Sequence, residues 1–176
     1  NLLMSRDWDA DFAAVFDNPG SMQASRSIYV SKPSASDQTV APEGCENLFI
    51  FIPVASNTSI GHGNAYRQEE SPIVRTIASA AVRQIAEWAN IPNLVDRVII
   101  RRTIGPQDFE ERYYSWQGGA LGPSHTLTQS AFFRGKNISR RVIGLLYVGG
   151  TIAPGVGVPM CLISAENILT RLGIKP

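Results

Sequence analysis

Four glycines in the short segment 147–160 are the residues of this sequence whose spacing is best suited to chemistry. They are Gly149, Gly150, Gly155 and Gly157. Because glycine has no Cβ, the backbone at these positions lets a bulky ligand come close. The segment leads into a helix predicted to begin near Met160, whose first N–H groups have no partner within the helix. This combination suits a phosphate group, or a ring that carries negative charge after reduction.

Spacing alone leaves a tight structural turn open as a second interpretation, because the segment is not a G-x-G-x-x-G fingerprint and no such fingerprint occurs in the chain.

Ser124-His125 has no G-x-S-x-G context, so His125 is expected to be structural or to lie near a substrate. His62 lacks a metal-ligand partner, and Cys45 and Cys161 match no metal or redox spacing. No carboxylate stands out as a general base. We therefore assign no catalytic residue and no metal site.

The composition indicates a folded protein with little net charge. Of the 176 residues, 44% are hydrophobic and 18% are charged, and the formal net charge is +1. These values exclude a disordered chain, and basic residues that come only in pairs give no reason to expect a nucleic-acid partner. No apolar run approaches the ~20 residues of a membrane span. Two cysteines far apart favour a reduced, cytoplasmic compartment.

The elements that must position the glycine segment alternate irregularly, which indicates a mixed α/β (α+β) fold. Predicted strands are 27–31, 48–52, 98–104 and 145–149. Predicted helices are 72–89, 106–116 and 161–172. Strand 48–52 is continuously apolar, so we expect it to be buried on both faces in the centre of a sheet. Ser71 is predicted to cap helix 72–89, with Ala81 and Ile85 on its apolar face.

Four segments, in order, resemble the bacterial- and fungal-type phytoene desaturases, a family of FAD-dependent carotenoid desaturases. They are 5–44, with Ser-Arg-Asp-Trp at 5–8; 46–49, Glu-Asn-Leu-Phe; 118–134, from Gly-Gly-Ala-Leu-Gly to Phe-Phe-Arg; and 147–160, with Pro-Gly-x-Gly-x-Pro. The resemblance covers the chain from Ser5 to about Asn167. It departs where Arg134 is followed by Gly135, since family members often have Arg-Pro.

The resemblance implies a two-domain FAD-dependent oxidoreductase, of which this chain is the C-terminal part. Residues 1–135 would belong to the substrate-binding domain and 136–176 to the FAD-binding domain. The residues implied to contact FAD are Gly149, Gly150, Pro154, Gly155, Gly157, Val158, Pro159 and Met160. The N-terminal unit that holds the ADP half of FAD in this family is absent from the sequence, so we expect this chain to hold FAD only in part and to be inactive in isolation.

The activity implied is the introduction of double bonds into an apolar polyene of the C40 type, with a quinone or oxygen reoxidising the flavin. Residues implied to lie near the substrate are Trp116, Gly119, His125, Phe132 and Phe133. The aromatic ones are also compatible with core packing. A related carotenoid or retinoid isomerase, ketolase or saturase stays open, as does a non-catalytic binding domain. Peripheral membrane contact and a homo-oligomer are further expectations.

Overall fold

The structure, a computed structural model, describes residues 2–18, 20, 22–66, 69–124, 126–130 and 133–174. Within these residues the chain divides into two units, Asn1–Gly118 and Gly119–Pro176. The predicted mixed α/β class is confirmed, because helices and a three-stranded sheet occur together. The assignment of 1–135 and 136–176 to separate functional domains stays a prediction.

The described part of the first unit contains both helices and strands. The strands are β1 (Leu2–Leu3), β2 (Ile28–Ser31) and β3 (Phe49–Phe51). The α-helices are α1 (Trp8–Phe12), α2 (Pro72–Trp88) and α3 (Pro106–Tyr113), and a π-helix, Ala13–Asp17, continues α1. Turns of 3-10 helix are Pro33–Ala35, Gln38–Val40, Thr58–Ile60, Val95–Arg97 and Trp116–Gly118.

The three strands form an antiparallel sheet in the order β1-β2-β3. Side chains alternate between the two faces of a strand, so Ile28 and Val30 of β2 point the same way. Both are buried, and they form the core of this unit with Ala81 and Ile85 of α2. The predicted strand 27–31 and the predicted apolar face of α2 are therefore confirmed.

Strand β3 corrects the prediction for residues 48–52. It lies at the edge of the sheet, not in the centre, and Phe49 is largely exposed. A continuous apolar run does not distinguish a central strand from an edge strand, because pairing partners are set by distant residues.

The predicted strand 98–104 is wrong, since these residues form no strand in the structure. Ile99 and Ile100 are 80% and 75% exposed. The segment is held instead by the side chain of Asn64, which accepts a hydrogen bond from the Thr103 N–H (2.9 Å) and donates one to the Arg101 carbonyl (3.1 Å). A β-rich sequence stays irregular where no strand lies alongside to share its backbone hydrogen bonds.

Helix α2 begins without the predicted side-chain cap. The Ser71 hydroxyl accepts a hydrogen bond from the His62 N–H (3.0 Å) and makes no bond to the first turn of the helix. Pro72 occupies the first turn, where a missing N–H leaves nothing unsatisfied. The helix ends at Trp88, within one residue of the predicted end.

Asp108 joins α3 to a distant loop. This buried carboxylate accepts hydrogen bonds from the Gly63 N–H (2.6 Å) and the Gly105 N–H (2.8 Å). Its place near the N-terminus of α3 also favours a negative charge. The helix ends at Tyr113, earlier than the predicted residue 116, because Tyr114 adopts a left-handed conformation with φ 53°.

Asp11 in α1 is surrounded by donors. It accepts hydrogen bonds from the hydroxyls of Ser5 (2.6 Å) and Ser27 (2.5 Å) and from the Arg26 N–H (2.7 Å). Burial works to raise the pKa of Asp11, but the hydrogen bonds from Ser27, Ser5 and Arg26 outweigh it and hold this pKa below its ordinary value of 3.8.

In the described part of the second unit most residues lie in loops, and the α-helix there is α4 (Val158–Arg171). A 3-10 turn spans Leu127–Gln129. The predicted strand 145–149 is wrong: the segment contributes an isolated bridge between Ile138 and Leu146. Helix α4 begins earlier than the predicted residue 161. Throughout the described residues, every helix is too short or too polar to cross a membrane.

Candidate functional site

The glycine segment 147–160 forms an irregular loop that ends at the N-terminus of α4. Gly149, Gly155 and Gly157 have φ angles of 126°, 144° and 122°. L-residues with a side chain rarely adopt such angles, and forcing one to do so costs about 1–3 kcal/mol. Glycine is therefore needed here for the path of the backbone.

The space beside these glycines differs from one to the next. A Cβ at Gly149 would meet no atom within 4 Å, and at Gly157 it would meet only Met160 Cγ, at 3.9 Å. At Gly150 a Cβ would lie 3.3 Å from the Val156 Cα, so this glycine is required by close packing of the loop on itself. The backbone at Gly149 and Gly157 is thus open to a neighbouring group.

The side-chain amide of Asn137 braces this loop from within. Its Nδ2 lies 3.2 Å from the Tyr147 carbonyl, 3.1 Å from the Ala153 carbonyl and 2.9 Å from the Ser164 Oγ. The backbone of residue 137 adds a bond, since its carbonyl accepts from the Tyr147 N–H (2.8 Å). One buried residue therefore ties both ends of the glycine loop together.

Ser164 extends the brace to α4. It is 0% exposed, and its Oγ accepts a hydrogen bond from the Gly149 N–H (3.1 Å) as well as from Asn137. Because Ser164 lies on the helix, this pair of bonds sets where the loop backbone runs relative to α4.

Arg134 approaches the same loop. It is 4% exposed, and its Nη2 donates to the Gly150 carbonyl (2.8 Å) and, more weakly, to the Leu121 carbonyl (3.4 Å). Its buried Nε has no hydrogen-bond partner among the described residues. A Cβ at Gly155 would come within 3.9 Å of the Arg134 Cδ. A cationic side chain therefore lies against the loop.

The N-terminus of α4 faces the end of the loop. Gly157 is the N-cap residue, and Pro159 in the first turn lacks an N–H. The N–H groups of Val158 and Met160 have no acceptor within the helix, because the first four N–H groups of any α-helix are unpaired internally. Together with the helix dipole they favour negative charge near this end.

A groove of about 740 Å³ lies beside the first half of the loop. It is lined by the loop residues Tyr147, Val148, Thr151 and Ile152, by Leu146, and by residues 135, 136 and 138–141, which include Lys136, Arg140 and Arg141. The groove thus combines an apolar wall with cationic side chains.

The structure brings the eight predicted cofactor residues together in this loop and the first turn of α4, and their role stays a prediction. Of the predicted substrate residues, Trp116 is 79% exposed in the first unit and Phe133 is 74% exposed in the second. Gly119 is half-buried in the second unit. Neither aromatic ring packs in the core of its unit. His125 and Phe132 lie outside the described residues.

Sequence reasoning missed Asn137 and Ser164 as residues that shape the site, and it noted Arg134 only within a motif. The available signal was weak: each is a polar residue close to apolar segments, and such residues are common on surfaces. Their function as braces depends on contacts across 10 to 27 positions of sequence.

No family model matches the chain. The chain is 38% identical over 171 residues to a carotenoid 3,4-desaturase of Haloarcula japonica, an alignment that covers 97% of the chain and 32% of that protein. It is 28% identical over 166 residues to a 4,4'-diapophytoene desaturase (4,4'-diaponeurosporene-forming) of Staphylococcus aureus strain Newman, covering 94% of the chain and 32% of that protein.

The fold is that of a mixed α/β protein with a glycine-rich loop leading into a helix. The chain is, along nearly its whole length, a relative of the carotenoid desaturases, and the resemblance predicted from its motifs is confirmed. It spans about a third of the length of the curated relatives that it matches.

Proposed function

We propose that this chain is part of a flavin-dependent carotenoid desaturase, in which residues 1–135 belong to the substrate-binding domain and residues 136–176 to the FAD-binding domain, with the cofactor contacts in segment 147–160. The observation that carries the proposal is the alignment of 97% of the chain with a carotenoid 3,4-desaturase. A second desaturase with a differently named activity aligns over 94% of it. The two relatives are named for different reactions, and the property that their names share is desaturation.

The residues of the glycine loop fit a flavin. A ligand with a broad flat ring needs an approach to backbone unobstructed by side chains, and the open space at Gly149 and Gly157 provides it. The residues proposed to hold the cofactor are Gly149, Gly150, Pro154, Gly155, Gly157, Val158, Pro159 and Met160. When bound, FAD supplies a two-electron acceptor for hydrogen removed from the substrate.

The chain's own residues act by positioning and electrostatics. The N–H groups of Val158 and Met160, aided by the dipole of α4, would stabilise negative charge on a cofactor bound beside them. Asn137 and Ser164 keep the loop backbone at a fixed distance from that helix end. Such preorganisation matters because donors that need not reorient stabilise charge more effectively than mobile ones.

The substrate is proposed to be an apolar polyene of the C40 type or similar. Trp116, Gly119, His125, Phe132 and Phe133 are the residues proposed to contact it. Exposed rings at Trp116 and Phe133 offer apolar surface of the kind that a long hydrocarbon covers. A quinone or oxygen is the proposed electron acceptor, and peripheral contact with a lipid surface would supply the substrate.

Flavin titration of the longer polypeptide that carries this chain tests the cofactor proposal. FAD added to that purified protein is expected to show quenched fluorescence and a perturbed visible spectrum. Gly155→Val is expected to abolish this binding, since valine cannot adopt φ 144° without strain. Gly144→Val is the matched control: Gly144 also has a positive φ (81°) with nothing within 4 Å, but it lies outside the loop. Equal loss in both variants, or no binding by the unaltered longer polypeptide, would refute the flavin loop.

The reaction itself is tested in the longer polypeptide that the proposal requires. That protein is given FAD, a quinone and phytoene in liposomes, and the absorption of the extracted pigment is followed. Desaturation lengthens the conjugated chromophore and moves absorption to longer wavelength. A product that is isomerised or oxygenated but has no additional double bonds would exclude a desaturase and favour an isomerase or a ketolase.

A further inference from the structure

Residues 139–145 form a second loop of the same unit, ahead of the glycine loop, and it is closed on itself by hydrogen bonds. The Ser139 N–H donates to the Leu145 carbonyl (3.0 Å), which brings the two ends of the loop together. The Ser139 hydroxyl accepts from the N–H groups of Arg141 (3.2 Å) and Val142 (3.0 Å). Because these bonds all lie within the loop, it holds its own shape without support from another segment.

The tip of the 139–145 loop is apolar and open to solvent. Ile143 is fully exposed and Val142 is 53% exposed. Their burial inside the unit therefore contributes little to its stability, although transfer of each aliphatic side chain from water to an apolar phase would be favourable. A turn that is held by its own hydrogen bonds and carries two such side chains at its tip is suited to enter an apolar phase.

Cationic side chains accompany this tip. Arg140 and Arg141 directly precede it, Lys136 lines a groove with both of them, and all three residues are exposed. The second unit contains six Lys and Arg residues against one acidic residue, Glu166, which gives a net charge of +5. The first unit contains ten against fourteen, which gives −4. Positive charge is therefore concentrated in the unit that carries the apolar tip, as in proteins that approach an anionic surface.

We propose that the 139–145 loop is a contact of this chain with a bilayer that contains anionic lipid. The inference rests on the proposed function, whose apolar substrate dissolves in lipid, and it specifies which surface meets the lipid and which headgroup charge is preferred. At the bilayer surface Val142 and Ile143 enter the acyl region. The guanidinium groups of Arg140 and Arg141 stay among the lipid phosphates, since long cationic side chains place their charge at the headgroup level.

The combination of an apolar tip with adjacent cations favours lipid over other anionic partners. A free phosphate or a nucleic acid would use the charges of Arg140 and Arg141 but would leave Ile143 in water. A protein surface that covered the tip would have to supply an anion for each arginine that it desolvates. A bilayer offers both environments at adjacent depths, so both kinds of side chain are satisfied at once.

Vesicle sedimentation of the longer polypeptide that carries this chain tests the loop. The probes are vesicles of phosphatidylcholine and vesicles of phosphatidylcholine mixed with anionic phosphatidylglycerol, without substrate and without added FAD. The unaltered protein is expected to bind the anionic vesicles more tightly. This preference should fall as the salt concentration is raised to about 1 M, because the screening length then shortens to about 3 Å.

The arginines and the tip are expected to differ in their response to lipid charge. Arg140→Gln and Arg141→Gln should each weaken binding to the anionic vesicles about fivefold, and should leave binding to phosphatidylcholine alone unchanged. Ile143→Ser should weaken binding to both kinds of vesicle about tenfold, because an aliphatic side chain is lost from the acyl region in either case.

Arg171→Gln and Leu127→Ser are the matched controls. Arg171 is an exposed cation at the end of α4, and Leu127 is 89% exposed, so these changes remove the same charge and a similar apolar side chain from the same unit. Both variants are expected to bind vesicles as the unaltered protein does. Substitutions at exposed positions usually alter stability little, and circular dichroism checks that each variant is folded. Ile143→Thr replaces Ile143→Ser if the serine variant fails to fold.

Each outcome decides the inference. Weaker binding in Ile143→Ser and in both arginine variants, with unchanged binding in the controls, supports the loop as the lipid contact. Equal weakening in Arg171→Gln and Leu127→Ser, or no vesicle binding by the unaltered protein, overturns it. Binding that depends on the arginines but is unchanged in Ile143→Ser also overturns it, because a surface that attracts free anions or nucleic acid behaves in this way.

A second assay, with phytoene supplied in detergent micelles, separates this inference from the proposed function. Loop-dependent vesicle binding by a protein that does not desaturate phytoene in micelles supports the lipid contact and refutes the desaturase. Desaturation in micelles together with vesicle binding that is unchanged in Ile143→Ser supports the desaturase and refutes the lipid contact. If both proposals hold, Ile143→Ser should desaturate phytoene in micelles as the unaltered protein does and lose activity on phytoene in vesicles.

Discussion

Replacing Asn137 by alanine is expected to loosen the glycine loop more than any other single side-chain truncation around it. The amide lies within hydrogen-bonding distance of the Tyr147 and Ala153 carbonyls and of the Ser164 hydroxyl. Its two hydrogens satisfy at most two of these acceptors fully. At about 1–1.5 kcal/mol for each bond, plus a cavity at a buried site, Asn137→Ala should lower the free energy of opening the loop by about 3 kcal/mol.

Ser164→Ala should cost less, about 1–2 kcal/mol. It leaves the Gly149 N–H without its acceptor, whereas Asn137 retains the other two oxygens. Alanine also has a higher helix propensity than serine, so the substitution stabilises α4 by a few tenths of a kcal/mol and offsets part of the loss. Because the two residues share one bond, the double variant should lose about 1 kcal/mol less than the sum of the single ones.

Amide hydrogen exchange read by mass spectrometry is the suitable assay. All three tryptophans, Trp8, Trp88 and Trp116, lie in the first unit, so their fluorescence does not report on the loop. A loss of 3 kcal/mol corresponds to about a hundredfold faster exchange from locally opened states in peptides covering residues 145–171. Peptides covering α2 should exchange unchanged and serve as the internal reference.

Asn167→Ala is the matched control, because Asn167 is an exposed amide on the same helix. Its effect should stay within about 0.5 kcal/mol. The reasoning is refuted if Asn137→Ala changes exchange no more than Asn167→Ala does. Strict additivity of Asn137→Ala and Ser164→Ala would show that the two side chains do not share a bond.

Two further predictions concern the first unit. Asp108→Ala should lower the free energy of unfolding of this unit by about 3 kcal/mol, because two N–H groups lose a charged acceptor. The free energy is measured by tryptophan fluorescence in urea, and Asp96→Ala, at an exposed position, should change it by less than about 0.5 kcal/mol. Equal effects of the two variants would contradict the role assigned to Asp108. Since the folded-state pKa of Asp11 lies below its ordinary value of 3.8, its carboxylate stabilises the fold above that value and the stabilisation is lost as pH falls through the folded pKa. As pH is lowered from 5, the free energy of unfolding should therefore fall less steeply in Asp11→Asn than in the unaltered chain or in Asp9→Asn. Identical slopes of this free energy against pH would refute the role of Asp11.

Local patterns in the sequence were sufficient to predict helices α2, α3 and α4 and strands β2 and β3, but they gave no sign of α1 or β1. The spacing of apolar residues along α2 and the proline in its first turn are local features, and both its position and its core-facing residues Ala81 and Ile85 follow from them. The strand 27–31 was found in the same way. Helix α4 was predicted with a late start, because the glycines before it obscure where helical geometry begins.

The strands that were predicted wrongly failed for a single reason. Residues 98–104 have strong β propensity, and residues 145–149 are apolar, but a strand exists only when another segment shares its hydrogen bonds. The structure provides Asn64 beside the former and one bridge to Ile138 beside the latter. Propensity is a property of the segment itself, whereas pairing depends on residues elsewhere in the chain.

The sequence by itself determined that a glycine-rich loop precedes the last helix and that the chain resembles carotenoid desaturases, because both depend on the identity of residues that are consecutive in the chain. Only the tertiary structure decided which side chains hold that loop. Arg134 meets Gly150 across 16 positions, and Asn137 meets Ser164 across 27. No period or cap encodes such contacts. They arise when the folded backbone brings distant buried donors and acceptors together, where leaving any of them unpaired would be costly.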